Sequence, residues 1–300
     1  MNFNNIYKKL KPVKAFSRII SGTMTWGEWG SKFSKKEMQS LLEETVDLGI
    51  NTFDHADIYG GYTTEAAFGS AFKSSSVKRD EVFFISKCGI QMPCEVRPSA
   101  VKHYDYSAEH IRMSVENSLR NLNTDYLDVL LLHRPSPMMH AETIAKITQE
   151  LKQEGKIKQL GVSNFTPSQM QLIQKEVALE WNQLECSLTH ENGFFDGTLD
   201  HMKIHEIGAM AWSPLGSYFK ENGAKKERIS KCMRSLCEKY NCKEDQLLLA
   251  WLVYPPAKIY PVVGTTSAKR LAQSIAALEI SLEQMDWFLL LEASMGEPLP

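Results

Sequence analysis

Asp54, Tyr59, Lys87 and His133 each stand at or just beyond the end of a short β-like run, and their chemistries complement one another. A phenol with an ordinary pKa of about 10 is a poor acid at neutral pH until a nearby cation favours its phenolate. Lys87 supplies such a cation, Asp54 a carboxylate to fix it, and His133 an imidazole to orient a carbonyl oxygen, so the set reads as proton transfer through Tyr59. A Schiff base at Lys87 is disfavoured, because an ammonium beside a carboxylate stays charged whereas imine formation needs the neutral amine. A second chemistry is open at the same strand ends: His55, Asp57 and His133 are metal-ligating types that would suit a metal-dependent hydrolase. Singly, each residue has an ordinary explanation, Asp54 as a turn cap and His133 as a core histidine; the joint pattern carries the weight.

The elements that must position these residues follow from hydrophobic periodicity. Eight runs read as strands: Arg18–Gly22, Asn51–Asp54, Val82–Lys87, Leu127–Leu132, Lys158–Val162, Glu180–Leu184, Gly208–Trp212 and Ile259–Val263. Most are apolar without alternation, as strands buried on both faces are. Between them Met38, Leu41, Leu42 and Val46 share a helical face, as do Ile111, Val115, Leu119 and Leu122, and Ile144, Ile147 and Leu151. Ser34 to Glu37 and Thr166 to Gln169 read as capping boxes, the second with Pro167 at the first helical position, and Gly49 and Gly155 fall at helix stops. The alternation predicts an α/β fold: a single-domain (β/α)8 TIM barrel over residues 1–300, with extra helices near Glu244–Val253 and Leu282–Leu291. The rival, an open doubly wound sheet, needs a G-x-G-x-x-G turn after its first strand, and Ser21 to Gly30 does not supply one.

Composition narrows the partners. The 300 residues are 43% hydrophobic and carry a formal net charge of −2 without a basic stripe, which argues against nucleic acid and for a small-molecule partner. No apolar run approaches the roughly 20 residues of a membrane span, and the start lacks a signal-peptide core, so a cytoplasmic protein without a membrane partner is expected. The six cysteines form neither a C-x-x-C pair nor a zinc-like grouping and read as reduced thiols; Cys88, next to Lys87, is either a reactive thiolate or a small packing residue. The sequence specifies no oligomeric state.

Further segments extend the pattern: Gly161 to Phe165, Asn182-Gln183, Trp212 to Gly216, and Gly264-Thr265-Thr266 with Arg270. With the four residues above, in this order and at these intervals, the chain resembles the aldo-keto reductase superfamily nearly end to end. Asp54–Gly61, Ser86–Ile90 and Gly197–Asp200 look most like its bacterial YdhF-type oxidoreductase branch. The resemblance implies an NAD(P)H-dependent enzyme that reduces aldehydes or ketones on a (β/α)8 barrel, with Tyr59 as general acid, Asp54 and Lys87 tuning it, His133 placing the carbonyl, and no metal. It implies cofactor contacts at Gly22, Thr23 and Met24 beside the nicotinamide ribose and at Ser163, Asn164 and Gln183 on the carboxamide. Trp212 would stack on the ring, and Ser213, Leu215 and Ser217 would cradle the pyrophosphate. Gly264, Thr265, Thr266 and Arg270 would hold the adenosine phosphate, which makes NADPH the expected cofactor over NADH. Gln273 and Ser274 depart from the Glu and Asn that many members use on adenine. The other reading of the resemblance is a nicotinamide-nucleotide-binding regulatory or subunit protein with little turnover.

On the substrate side, the long segment from Gln91 to Tyr106 is expected to overhang the pocket. Trp26, Trp29 and Tyr62 either line that pocket or seal barrel loops.

Overall fold

The computed structural model describes residues 15–94 and 97–299. Eight parallel strands close on themselves: β1 (Ile20–Gly22), β2 (Thr52–Asp54), β3 (Phe83–Cys88), β6 (Leu127–Leu132), β7 (Ile157–Ser163), β8 (Trp181–Glu185), β9 (Gly208–Trp212) and β10 (Tyr260–Val263). The short β4 (Ile90–Gln91) and β5 (His103–Tyr104) form a separate antiparallel ribbon. Closure joins β1 to β10 through Ile20 opposite Val262, and β1 to β2 through Gly22 opposite Asp54. The expected barrel is therefore present, with strand ends shifted by no more than two residues from those read off the sequence.

Burial explains why these runs became strands. All six residues of β6 are buried, since one face fills the barrel and the other lies under helices. Inside, Ile20, Ile85, Val129, Leu131, Met210 and Val262 pack together above Trp181 and Tyr260. Outside, a larger core joins the strands' other faces to the surrounding helices. Helix Lys35–Asp47 starts at a Ser34 capping box and helix Pro167–Gln174 at a Thr166 box, each cap contributing about 1 kcal/mol.

Two additional helices, Glu244–Val253 before β10 and Gln284–Met295 at the end of the described chain, lie close to where the sequence put them. They are locked by Trp251 and Trp287, whose rings stack at 5.0 Å. Each indole N–H donates to the other residue's carbonyl, at 3.1 and 2.9 Å, so two large apolar rings are buried with no unmade hydrogen bond. Trp26 is a sealing residue: it is fully buried with its ring edge against Phe53, and it takes no part in a pocket wall.

Candidate active site

Parallel strands put every carboxyl end on one face, so the tips of β2, β3 and β6 to β10 converge. Lys87 is the centre of the arrangement. Its ammonium donates to Asp54 Oδ1 (2.7 Å) and Oδ2 (2.8 Å), to the His55 carbonyl (2.7 Å) and to the Tyr59 hydroxyl (3.0 Å). Lys87 and Asp54 are almost wholly buried, and a buried ion pair persists only when its remaining hydrogen-bonding positions are filled. Gln183 meets that need from across the barrel, donating its amide to Asp54 Oδ1 at 2.8 Å. Four of the predicted residues thus form one hydrogen-bonded unit, and the His133 ring stands edge-on to Tyr59 at 6.2 Å.

Electrostatics sets the proton positions. Burial pushes the Tyr59 phenol up, against the pull of Lys87, so the cation limits the rise where the sequence led us to expect a net lowering. Desolvation opposes the Lys87 charge, yet Asp54 and Tyr59 together leave its pKa raised. Burial first, then Lys87, Arg134 and Lys102, holds His133 well below the usual imidazole range, so the ring is neutral at pH 7. A protonated phenol, an ammonium and a neutral imidazole therefore surround one point.

The groups next to this unit divide into two kinds. Ser163 stands opposite Gln183 where β7 meets β8. Asn164 follows in a left-handed conformation (φ 60°), with its amide N–H on Ser163 Oγ at 2.8 Å and its Oδ1 receiving the Trp212 indole N–H at 2.9 Å. That bond fixes the half-buried Trp212 ring. Ser213 (φ 49°) and Gly216 (φ 57°) then curl the backbone tightly, and a side chain at Gly216 would collide with Thr189 and Ser187. A cavity of about 160 Å³ opens beside Ser217, between Thr189 and Lys225. Leu215 packs onto the core.

The rim is completed by Gly264, Thr265, Thr266 and Arg270, the last exposed in the first turn of helix Ala268–Ala276. Thr25 Oγ1 donates to the Gly264 carbonyl (2.9 Å) and Ser31 Oγ to Thr266 Oγ1 (3.2 Å), which tethers the loop after β1 to this rim. Ser274 is buried and bonds back to the Arg270 carbonyl, so its hydroxyl is spent within the helix. In the same β1 loop, Gly22 is paired in the sheet and Met24 is 45% exposed. The Thr23 hydroxyl turns inward, onto the Asp54 carbonyl (3.0 Å) and His55 Nδ1 (2.9 Å), and its backbone N–H and carbonyl are taken by the Asp54 carbonyl and Trp26 N–H, so Thr23 is fully buried.

The structure separates the proposed metal ligands. His55 gives Nδ1 to Thr23 and packs against Phe68 at 4.4 Å, away from His133. Among the described residues no group of three or more His, Cys, Asp or Glu could hold a metal ion. Asp57 is buried, with neither carboxylate oxygen bonded among the described residues; burial, then Glu65, raises its pKa well above the carboxylate range. Cys88 is buried and its thiol is pushed well up by desolvation, which makes it the packing residue and not the reactive one.

On the open side, Trp29 is 41% exposed and faces the Tyr59 ring at 6.2 Å. The ribbon of β4 and β5 carries Tyr104 to the apolar cluster around Tyr59, while the Tyr62 hydroxyl accepts from Met92 N at 2.9 Å. Both ends of the Gln91–Tyr106 segment are thereby anchored beside the tetrad. One residue at the mouth escaped the sequence reading. Arg134 follows His133 directly, and its guanidinium reaches Ser163 Oγ at 3.3 Å; adjacency to a strand-end histidine was the only signal for it.

A model of the aldo/keto reductase family matches residues 18–293. The chain is 36% identical over 288 residues to oxidoreductase YdhF of Escherichia coli (strain K12), covering 95% of this chain and 96% of that one. It is 38% identical over 284 residues to a 6-dehydroglucose reductase of Agrobacterium fabrum (strain C58 / ATCC 33970), with 94% and 95% covered. Its fold matches the glycerol dehydrogenase AKR11B4 from Gluconobacter oxydans with a TM-score of 0.83 at 22% identity, over 96% of this chain and 95% of that one.

Proposed function

Because the chain belongs to the aldo/keto reductase family of nicotinamide-dependent oxidoreductases, we propose that it reduces a small aldehyde or ketone with NADPH, using Tyr59 as the proton donor. The observation that carries the reading is the Lys87 ammonium, bonded at once to the Asp54 carboxylate and the Tyr59 hydroxyl inside a buried site. A carbonyl oxygen seated between Tyr59 and neutral His133 accepts hydrogen bonds from both. As negative charge develops on that oxygen, the Tyr59 proton moves to it, and the nascent phenolate is stabilised by Lys87. Asp54, held by Gln183, keeps Lys87 charged and aimed. Bound NADPH would supply the hydride.

The donor set suits that cofactor. Ser163 and Asn164 present a hydroxyl and an amide for the carboxamide, with Gln183 beside them, and Trp212 offers a fixed flat ring. The curled loop from Ser213 to Ser217 lets backbone approach a pyrophosphate closely, with the cavity beside Ser217 as its bed. Of Gly22, Thr23 and Met24, the exposed Met24 would border the ribose, with the buried Gly22 and Thr23 supporting it from behind. At the rim, Gly264, Thr265, Thr266 and the Arg270 guanidinium at a helix N-terminus favour the 2′-phosphate of NADPH. A small polar carbonyl compound as substrate accords with the relative named for 6-dehydroglucose reduction.

Fluorescence titration should give tighter binding of NADPH than of NADH, by tenfold or more, with most of the difference lost in Arg270→Ala. On a panel of carbonyl compounds, Tyr59→Phe should lower kcat/KM by at least roughly a hundredfold while NADPH affinity stays within about threefold. Unaltered turnover in that variant removes Tyr59 from the chemistry. Tight NADPH binding with no oxidation by any carbonyl compound would instead favour a nucleotide-binding regulatory protein.

A further inference from the structure

We infer that Arg134 receives a carboxylate on the substrate, so that the preferred compounds are carbonyl acids with an anionic group at a distance from the reacting carbon. The inference rests on the carbonyl-reductase reading above and gives it a substrate class.

Arg134 is fixed at both ends. Its backbone is clamped by the Tyr106 hydroxyl, which donates to the Arg134 carbonyl and accepts from its N–H. Its guanidinium Nη1 donates to the His133 carbonyl at 2.8 Å and to Ser163 Oγ at 3.3 Å, with Cζ 5.8 Å from the Trp212 ring centroid. The group therefore crosses the mouth of the site, from the side of His133 and Tyr59 toward that of Trp212.

What this arrangement leaves unmade is the informative part. Only Nη1 has hydrogen-bond partners among the described residues, and no described carboxylate lies within 4.0 Å of the guanidinium. Arg79 is paired with Asp128 at 2.7 Å, and Arg112 with Glu150 and Glu154 at 2.8 Å each. Arg18, Arg120 and Arg228 lack a carboxylate partner as Arg134 does, but they lie on the Tyr260 ring, Asn117 and the carbonyls of Ala293 and Ser294, whereas Arg134 lies beside His133 and Ser163 at the site. A half-buried guanidinium without a counter-ion, in a chain of net charge −2, is a site for an anion brought from outside. The unoccupied Nε and Nη2 form the side-on edge that matches the two oxygens of a carboxylate. Lys102, from the segment anchored beside Tyr59, adds to the same field, since both cations act on His133 and no acid does. The Asp54 charge is already matched by Lys87, and in the proposed cofactor pose the phosphates lie at Ser217 and Arg270, so neither neutralises Arg134.

Matched pairs test this: 4-carboxybenzaldehyde against its methyl ester, and succinic semialdehyde against its methyl ester, with NADPH. For at least one pair the acid should exceed the ester in kcat/KM by tenfold or more. In Arg134→Met that ratio should fall at least tenfold, through the KM of the acid, and Arg134→Lys should recover part of it. Any general loss of activity cancels from the ratio. Ratios near one for both pairs in the unaltered protein, or a ratio unchanged in Arg134→Met, overturns the inference. If no carbonyl compound is reduced, the reductase reading has failed, and calorimetry of 4-carboxybenzaldehyde with the NADPH-loaded protein still decides: binding no tighter than that of its ester, or equal in Arg134→Met, overturns the assignment of Arg134.

Discussion

At the scale of single residues, the cluster of Asp54, Tyr59, Lys87 and His133 is first a problem in burial. Lys87 and Asp54 are paired almost without solvent, and Asp54 helps to keep the Lys87 ammonium charged. Asp54→Asn should therefore cost about 3–5 kcal/mol of stability, because it strands a buried ammonium; urea unfolding with a change under about 1 kcal/mol would show that Lys87 has another counter-charge. The residue types, and their places at strand ends, were legible from the sequence. The directions of side chains were not. Gln183 was expected on a carboxamide and its amide donates to Asp54, and Thr23 was expected to face a ribose and turns to His55, because a buried carboxylate and a buried imidazole take the nearest available partners.

At the scale of elements, local signals were sufficient where they were local. Capping boxes at Ser34 and Thr166 lie within one helical turn and were found where the sequence put them. The ribbon of β4 and β5 was not anticipated, since two-residue strands have no period and exist only through a partner about a dozen residues away. The two late helices were expected, but the feature that holds them is tertiary. Trp251→Ala should lose about 3–5 kcal/mol in urea unfolding, the cost of a large cavity, and should also leave the Trp287 indole N–H in altered surroundings. A loss below about 1 kcal/mol would mean that the stacked pair does not couple these helices.

At the scale of the molecule, buried titratable groups fix how stability depends on pH. His55, lowered by desolvation and then by Lys87 and Arg79, and His133, lowered by desolvation and nearby cations, stay neutral in the folded chain. The unfolded chain takes up their protons below about pH 6.5, so the stability they contribute is present above that pH and is lost as pH falls toward their folded pKa values. Asp57 has the opposite sign: its raised pKa means the folded chain binds a proton that the unfolded chain has released, a contribution present below about pH 4 and lost as pH rises through the folded value. Asp57→Asn should raise Tm at pH 7.5 by roughly 2 °C and make the acid-side fall in Tm steeper than in the unaltered protein. Parallel Tm curves from pH 4 to 8 would remove Asp57 from this balance. No helix among the described residues is long and apolar enough to cross a membrane. The order of strands and helices, the barrel they imply and the residue types at its mouth were determined by the sequence alone, because hydrophobic period, capping and strand-end position are local properties. Which groups touch, which stay protonated, and that Arg134 lies without a counter-ion beside His133 were decided only by tertiary structure, because they depend on distances and desolvation between residues far apart in the chain.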